Sequence, residues 1–250
     1  MIHSFLMIGQ SNMAGRGKKE DVEPIENKEI KVMRNGRWQN MYVPVNCDRA
    51  FSGISLAESF ADAYQKEHGV QVGLIPCADG GTTLDQWKEG SILYDHAVFQ
   101  AKLAMRTSNI AGILWHQGES DCKESSYSTY AVRLQKMFDA LRRDLNLYDV
   151  PILLGGLGDF LKNRVENPEM QNFTHVNIAL QQVAEQNEMM GFVSAEGLES
   201  KPDRLHFNAI SLREFGLRYY EEFKKLERAD KIFEEKPEAD AAIRSEIELL

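Results

Sequence analysis

The sequence predicts an α/β fold, with a parallel sheet of five strands and helices on both of its faces. Three observations carry this. Short apolar runs alternate with longer amphipathic segments over most of the 250 residues. The apolar runs are continuous rather than alternating in and out, as strands covered on both faces require. The order is strand then helix throughout, which gives parallel pairing through crossover helices.

The strands fall at residues 2–8, 70–77, 110–115, 151–157 and 190–195, each short and bounded by polar or glycine-containing stretches. Helical spacing occupies residues 56–68, 93–107, 126–145 and 174–188. In the third of these, Tyr130, Leu134, Met137, Phe138 and Leu141 fall on one stripe. A fifth helix follows Asn208 and carries Ile210, Leu212, Phe215, Leu217, Tyr219 and Phe223. Residues 20–51 depart from the repeat. Residues 31–33, then Asn35-Gly36, then residues 38–42 form a hairpin signal, read as an insertion packed on the body by Trp38 and Tyr42. Residues 1–226 make one domain, and residues 227–250 a charged extension. Ile243, Ile247 and Leu250 share a helical face there, which predicts a docked or partner-contacting helix. Oligomeric state stays open.

Composition narrows the function classes. The chain is 43% hydrophobic and 27% charged, ordinary for a globular protein. A net charge of −9 argues against nucleic-acid binding and gives no attraction to an anionic membrane. Residues 1–8 are apolar but too few for a signal-peptide core, so the chain reads as cytoplasmic. A chain already trimmed of a leader would read the same. Cys47, Cys77 and Cys122 are widely spaced and suggest reduced thiols, not a disulfide framework or a zinc knuckle.

In an open parallel sheet, ligands bind beyond the carboxyl ends of the strands. Polar clusters follow four of the predicted strands: Gly9-Gln10-Ser11-Asn12, Ala78-Asp79-Gly80-Gly81, His116-Gln117-Gly118-Glu119 and, across a loop, Asp203-Arg204-Leu205-His206. The sheet brings these clusters together. A serine hydroxyl needs a histidine to take its proton, and the imidazole needs a carboxylate to set its tautomer. Asp203 and His206, three residues apart on a loop, meet that need locally and leave the far ring nitrogen for Ser11. Backbone N–H groups at Ser11 and at Gly80 or Gly81, with the Gln117 carboxamide, are candidate donors to an oxyanion.

GQSNMAGRG, ADGGTTLDQW, WHQGESD and DRLHFNAISLREFG together resemble the SGNH hydrolase superfamily, in its sialate O-acetylesterase-like branch, which includes carbohydrate esterase family 6. The matching blocks run from residue 7 to about residue 220, in the family's order. The resemblance implies a three-layer α/β/α, flavodoxin-like fold, no obligatory metal or cofactor, and removal of O-acetyl groups from a small-molecule or oligosaccharide substrate. It places Ser11 as nucleophile, Asp203 and His206 as the final DxxH, Gly80 or Gly81 in the second block with the G-x-[ST] spacing favouring Gly80, and Gln117 where the wider superfamily carries an Asn.

Several residues carry two readings. Glu119 competes with Asp203 as the acid behind His206, or binds a sugar hydroxyl. His116 reads as a structural, hydrogen-bonded residue, and Asp121 as a cap. A metal site from His116, Glu119 and Asp121 lacks supporting ligand spacing. Asn12 steadies the Ser11 loop or is an ordinary loop residue, and Arg16 contacts substrate or does not. Trp87 stacks on a sugar or anchors its loop, and Asp48-Arg49 borders the pocket or forms a surface ion pair. The rival functions are a lipid or thioester hydrolase on the same scaffold and a non-catalytic carbohydrate-binding protein.

Overall fold

A computed structural model describes residues 1–228 and 233–248. The chain runs β1 (Ile2–Gly9), α1 (Ser11–Ala14), β2 (Ile30–Arg34), β3 (Arg37–Asn40), α2 (Ala57–His68), β4 (Val72–Pro76), α3 (Ile92–Ala104) and β5 (Ser108–His116). It continues through α4 (Glu124–Tyr127), α5 (Tyr130–Leu145), β6 (Ile152–Gly155), α6 (Phe173–Glu185), β7 (Met190–Val193), α7 (Ala209–Leu226) and α8 (Pro237–Glu248). The sheet has seven strands in the order β3-β2-β4-β1-β5-β6-β7, parallel except for the β2–β3 pair.

The count of seven corrects the expected five, and the hairpin is the reason. Its turn forms at Asn35 and Gly36, both with positive φ, so β2 and β3 pair antiparallel. β2 then pairs in parallel with β4, Ile30 opposite Val72, so the supposed insertion extends the main sheet. Trp38 is buried as expected, its Nε1 donating to Thr107 Oγ1 at 3.0 Å. Tyr42 is not packed on the body; it is 54% exposed.

β1 is the central strand, and its neighbours β4 and β5 shield its edges, so nearly every residue of IHSFLMIG is buried. On one face α2 and α7 bring Phe60, Tyr64, Phe215, Tyr219 and Phe223 onto Phe5 and Met7. On the other, α3, α5 and α6 bring Tyr94, Leu134, Phe138 and Val176 onto Leu6, Ile8 and Trp115. The α5 stripe is buried throughout. The expected single segment at 126–145 divides into α4 and α5, with Thr129 leaving helical geometry between them. On α7, Ile210 and Leu217 face outward, 65% and 45% exposed, leaving the other named positions to make the contact.

The C-terminal extension docks on the same body. Ile243 is buried in the core and Ile247 packs at its edge. Phe233 stacks on His3 with ring centroids 3.8 Å apart. Leu250 lies outside the described residues. No described helix is long and apolar enough to cross a membrane.

Candidate active site

β1 ends at Gly9, whose φ of +128° suits glycine. A Cβ there would stand 2.1 Å from the His116 carbonyl oxygen, so only glycine lets β1 leave the sheet so close to β5. The Gln10 N–H donates to that same carbonyl at 2.8 Å. The chain then turns at once into α1, with Ser11 at its first position and 5% exposed. At a helix start the backbone N–H has no partner within the helix. The Ser11 N–H is therefore available beside its own hydroxyl.

The loop between β7 and α7 builds the partner of Ser11. One Asp203 oxygen, Oδ1, accepts the N–H groups of Leu205 at 3.0 Å and His206 at 2.9 Å, which folds the turn. The other, Oδ2, lies 2.9 Å from His206 Nδ1. With Nδ1–H donating to the carboxylate, Nε2 turns its lone pair toward Ser11 Oγ at 3.0 Å. Partial burial works to raise the Asp203 pKa, but bonds from the His206 backbone and ring and the Leu205 N–H hold it below its ordinary value. Arg164 anchors the turn by donating to the Asp203 carbonyl at 2.6 Å. Asn208 caps α7, accepting from the Ser211 N–H at 2.8 Å, so the loop ends on a rigid helix.

Asn12 joins these two segments. Its Oδ1 accepts the Phe207 N–H at 3.1 Å and its Nδ2 donates to the Leu205 carbonyl at 3.2 Å, the two residues flanking His206. Nδ2 also donates to Glu119 Oε1 at 2.5 Å. Glu119 thus acts through Asn12, while Asp203 occupies the histidine. His116 is fully buried, with Nε2 3.2 Å from the Gly156 carbonyl oxygen and Nδ1 3.8 Å from Glu119 Oε1. Burial lowers its pKa, against the pull of the Glu119 charge.

The second block meets Ser11 from the other side. A methyl group on Gly80 would stand 2.5 Å from Arg16 Nη2, 2.9 Å from Asp48 Oδ2 and 3.4 Å from Ser11 Cβ, so a side chain is excluded. The Gly80 N–H donates to Asp48 Oδ2 at 2.9 Å. Of the two glycines, Gly81 is the one whose N–H finds no partner among the described residues. Asp48 is held bidentately by Arg16, at 3.0 and 2.6 Å, with side chains 3% and 2% exposed. Burial works to raise the Asp48 pKa, but bonds from Arg16, Ser52 and the Gly80 N–H bring it below its ordinary value.

The structure corrects some expectations here and chooses between the readings left open for Arg16 and Trp87. Gln117 does not face an oxyanion: its Nε2 lies within 2.7 Å of Asp121 Oδ2, 3.0 Å of the Thr82 carbonyl and 3.2 Å of Gln10 Oε1, which takes up both of its hydrogens. Arg16 does not contact substrate, being buried against Asp48. Trp87 is an anchor, 1% exposed, with Nε1 donating to Thr82 Oγ1 at 3.0 Å. Asp48 pairs closely with Arg16 and more distantly with Arg49, at 3.9 Å, while Arg49 also reaches Asp79 Oδ1 at 2.9 Å and the Gly80 carbonyl at 3.0 Å. Sequence reading set Asp48 at the pocket border or in a surface pair but missed its bonds to Arg16 and Gly80, which lie 32 residues away on either side. Asp121 caps the turn at Leu84, whose N–H it accepts at 2.8 Å, rather than the segment that follows it.

A parallel sheet layered by helices, with serine, histidine and carboxylate gathered at its carboxyl edge, is the arrangement of the SGNH-like ester hydrolases. The match is specific. The chain belongs to the carbohydrate esterase, sialic acid-specific acetylesterase family, whose model matches residues 1–225. A probable carbohydrate esterase of Arabidopsis thaliana is 28% identical over 242 residues, covering 85% of this chain and 86% of that one. The X-ray structure of that Arabidopsis protein superposes with a TM-score of 0.79 at 26% identity, over 89% of this chain and 98% of its own. The NanS crystal structure shares the fold, with a TM-score of 0.70 at 18% identity, over 90% of this chain and 97% of that one.

Proposed function

We propose that this esterase removes O-acetyl groups from acetylated carbohydrates through an acetyl-enzyme formed on Ser11. The observation that carries the reading is the unbroken line from Ser11 Oγ to His206 Nε2 at 3.0 Å and from His206 Nδ1 to Asp203 Oδ2 at 2.9 Å. His206 takes the hydroxyl proton as Oγ attacks the acetyl carbonyl, and Asp203 stabilises the resulting imidazolium. The tetrahedral oxyanion is held by the Ser11 N–H and the Gly81 N–H, each such donor contributing about 3–4 kcal/mol to barrier lowering. Collapse expels the sugar oxygen, which takes the proton back from His206 and leaves as a hydroxyl. Water, deprotonated by the same imidazole, then attacks the acetyl-serine and releases acetate.

Family membership supports a sugar ester over a lipid or thioester. Acetylated sialate and acetylated xylo-oligosaccharides are the substrates to try. Fluorophosphonate should label Ser11 and not the Ser11→Ala protein, and acetate release should vanish with the label. A folded wild-type protein that neither labels nor releases acetate would overturn the reading, leaving a carbohydrate-binding protein.

A further inference from the structure

A cavity of about 430 Å³ opens at the carboxyl ends of β2 and β4, one strand outward from the nucleophile. That volume is within the range of small-ligand sites. Its walls are fixed by buried bonds. Asn46 pairs both ways with Ala78, donating at 2.9 Å and accepting at 3.0 Å. Arg34 donates to the carbonyls of Tyr42, Pro44 and Val45, and its guanidinium lies 3.9 Å from the centre of the Tyr42 ring. The 42–48 segment is therefore held in place without a ligand.

The groups facing the space are unspent. Among the described residues, the side chains of Asn35 and His96 and the Tyr42 hydroxyl have no hydrogen-bond partner within the protein. Tyr42 is 54% exposed although it follows a strand that packs inward. Asp79 contributes a carboxylate to the same wall, and only its Oδ1 is engaged, by Arg49. A half-exposed aromatic ring backed by the Arg34 guanidinium, with an uncommitted amide, imidazole and hydroxyl in the same lining, suits a hydroxyl-rich ring with an apolar face. The carboxylates of the lining are already paired, Asp48 with Arg16 and Asp79 with Arg49, so the groups left to a sugar are the uncharged ones.

The cavity and Ser11 share one wall. Asp48 and Asp79 line the cavity, and Gly80 stands between them and Ser11, its own N–H bonded to Asp48. We propose that this cavity is a sugar subsite, holding a glycosyl residue linked to the sugar whose acetate is removed. The enzyme then prefers acetylated oligosaccharides to acetylated monosaccharides. This rests on the esterase reading above.

The test compares three substrates, para-nitrophenyl acetate, acetylated xylose and acetylated xylo-oligosaccharides, on the wild type and on Tyr42→Ala and His96→Ala. None of the replaced residues belongs to the Ser11–His206–Asp203 line. Wild-type KM should be lowest on the oligosaccharides, and each variant should raise that KM about tenfold with kcat held, the sign of lost binding made equally in ground and transition states. Rates on the aryl ester and on acetylated xylose should stay within about twofold. Unchanged oligosaccharide KM in both variants, or an equal loss on all three substrates, overturns the subsite while leaving the esterase intact. Hydrolysis of the aryl ester with no acetate released from either sugar overturns the carbohydrate reading itself, and the subsite with it.

Discussion

Asn12 and Glu119 share a buried hydrogen bond of 2.5 Å, and through it a residue from the third strand end sets the place of His206. Asn12 follows Ser11 directly and grips the backbone on both sides of the histidine, at Leu205 and Phe207. One side chain therefore fixes the separation between hydroxyl and imidazole.

Removing that grip should cost rate and spare binding. Misplacing a reacting group by about 1 Å can lower a rate about 100-fold. Asn12→Ala should therefore reduce kcat by about 10- to 100-fold with KM nearly unchanged. Steady-state kinetics on a soluble acetate ester, with a thermal melt to establish folding, checks this. A variant that folds and keeps wild-type kcat would show that Asn12 only fills space.

Asp203 and Glu119 should separate cleanly. Asp203→Asn replaces the carboxylate that faces His206 Nδ1 and removes the charge that stabilises the imidazolium, so kcat should fall by about 10²- to 10⁴-fold. Glu119→Gln keeps an acceptor for Asn12 and should cost less than about tenfold, whereas Glu119→Ala leaves the Asn12 donor without its partner. Rescue of the alanine phenotype by glutamine distinguishes a positioning residue from the triad acid. A larger loss from Glu119→Gln than from Asp203→Asn would reverse the assignment.

Much of this was legible from residue order, for reasons that differ by level. The strands were visible because a sheet covered on both faces demands unbroken apolar runs, and β1 reads IHSFLMIG with almost every residue buried. The α5 stripe was visible because helical period is local. The hairpin turn could be read from Asn35-Gly36, but its union with β4 could not. The pairing of Ile30 with Val72 is set by long-range register, and a free-standing hairpin satisfies the same local pattern. At the site, Ser11, Asp203 and His206 were legible because their chemistry constrains them jointly. The bonds of Gln117, Arg16 and Asp48 were not legible because their partners are distant in sequence, and residue type alone does not say which acceptor an amide or guanidinium will find.

Gln117 gives a direct contrast between the two readings of its carboxamide. An oxyanion donor, when removed, lowers kcat and leaves stability alone. A buried amide bonded to Asp121, Thr82, Gln10 and Tyr130 instead leaves those groups short of partners. Each such unsatisfied buried group costs about 1–3 kcal/mol. With four groups affected and about 2–4 °C per kcal/mol for a chain of this size, Gln117→Ala should therefore lower Tm by roughly 8 °C or more. Differential scanning calorimetry decides it, and an unchanged Tm with a collapsed kcat would return Gln117 to the oxyanion.

The Arg16–Asp48 pair should bear on stability with a defined pH dependence. Both side chains are buried, so Asp48→Asn leaves the Arg16 guanidinium without its counter-charge, at a cost of about 3 kcal/mol. The folded pKa of Asp48 lies below its ordinary value of 3.8, because the bonds from Arg16, Ser52 and Gly80 outweigh burial. A group whose pKa is depressed on folding stabilises the native state above its unfolded pKa, and the stabilisation fades as pH falls toward the folded value. The wild-type margin over Asp48→Asn should thus stay constant from neutrality down to the ordinary carboxylate range. Below it the margin should narrow, as the unfolded carboxylate takes up a proton that the native one still excludes. Urea denaturation of both proteins across that range measures the margin directly. A margin that instead grew on acidification would mean that Asp48 is held protonated in the native state, and that Gly80 and Arg16 are not bound by a carboxylate.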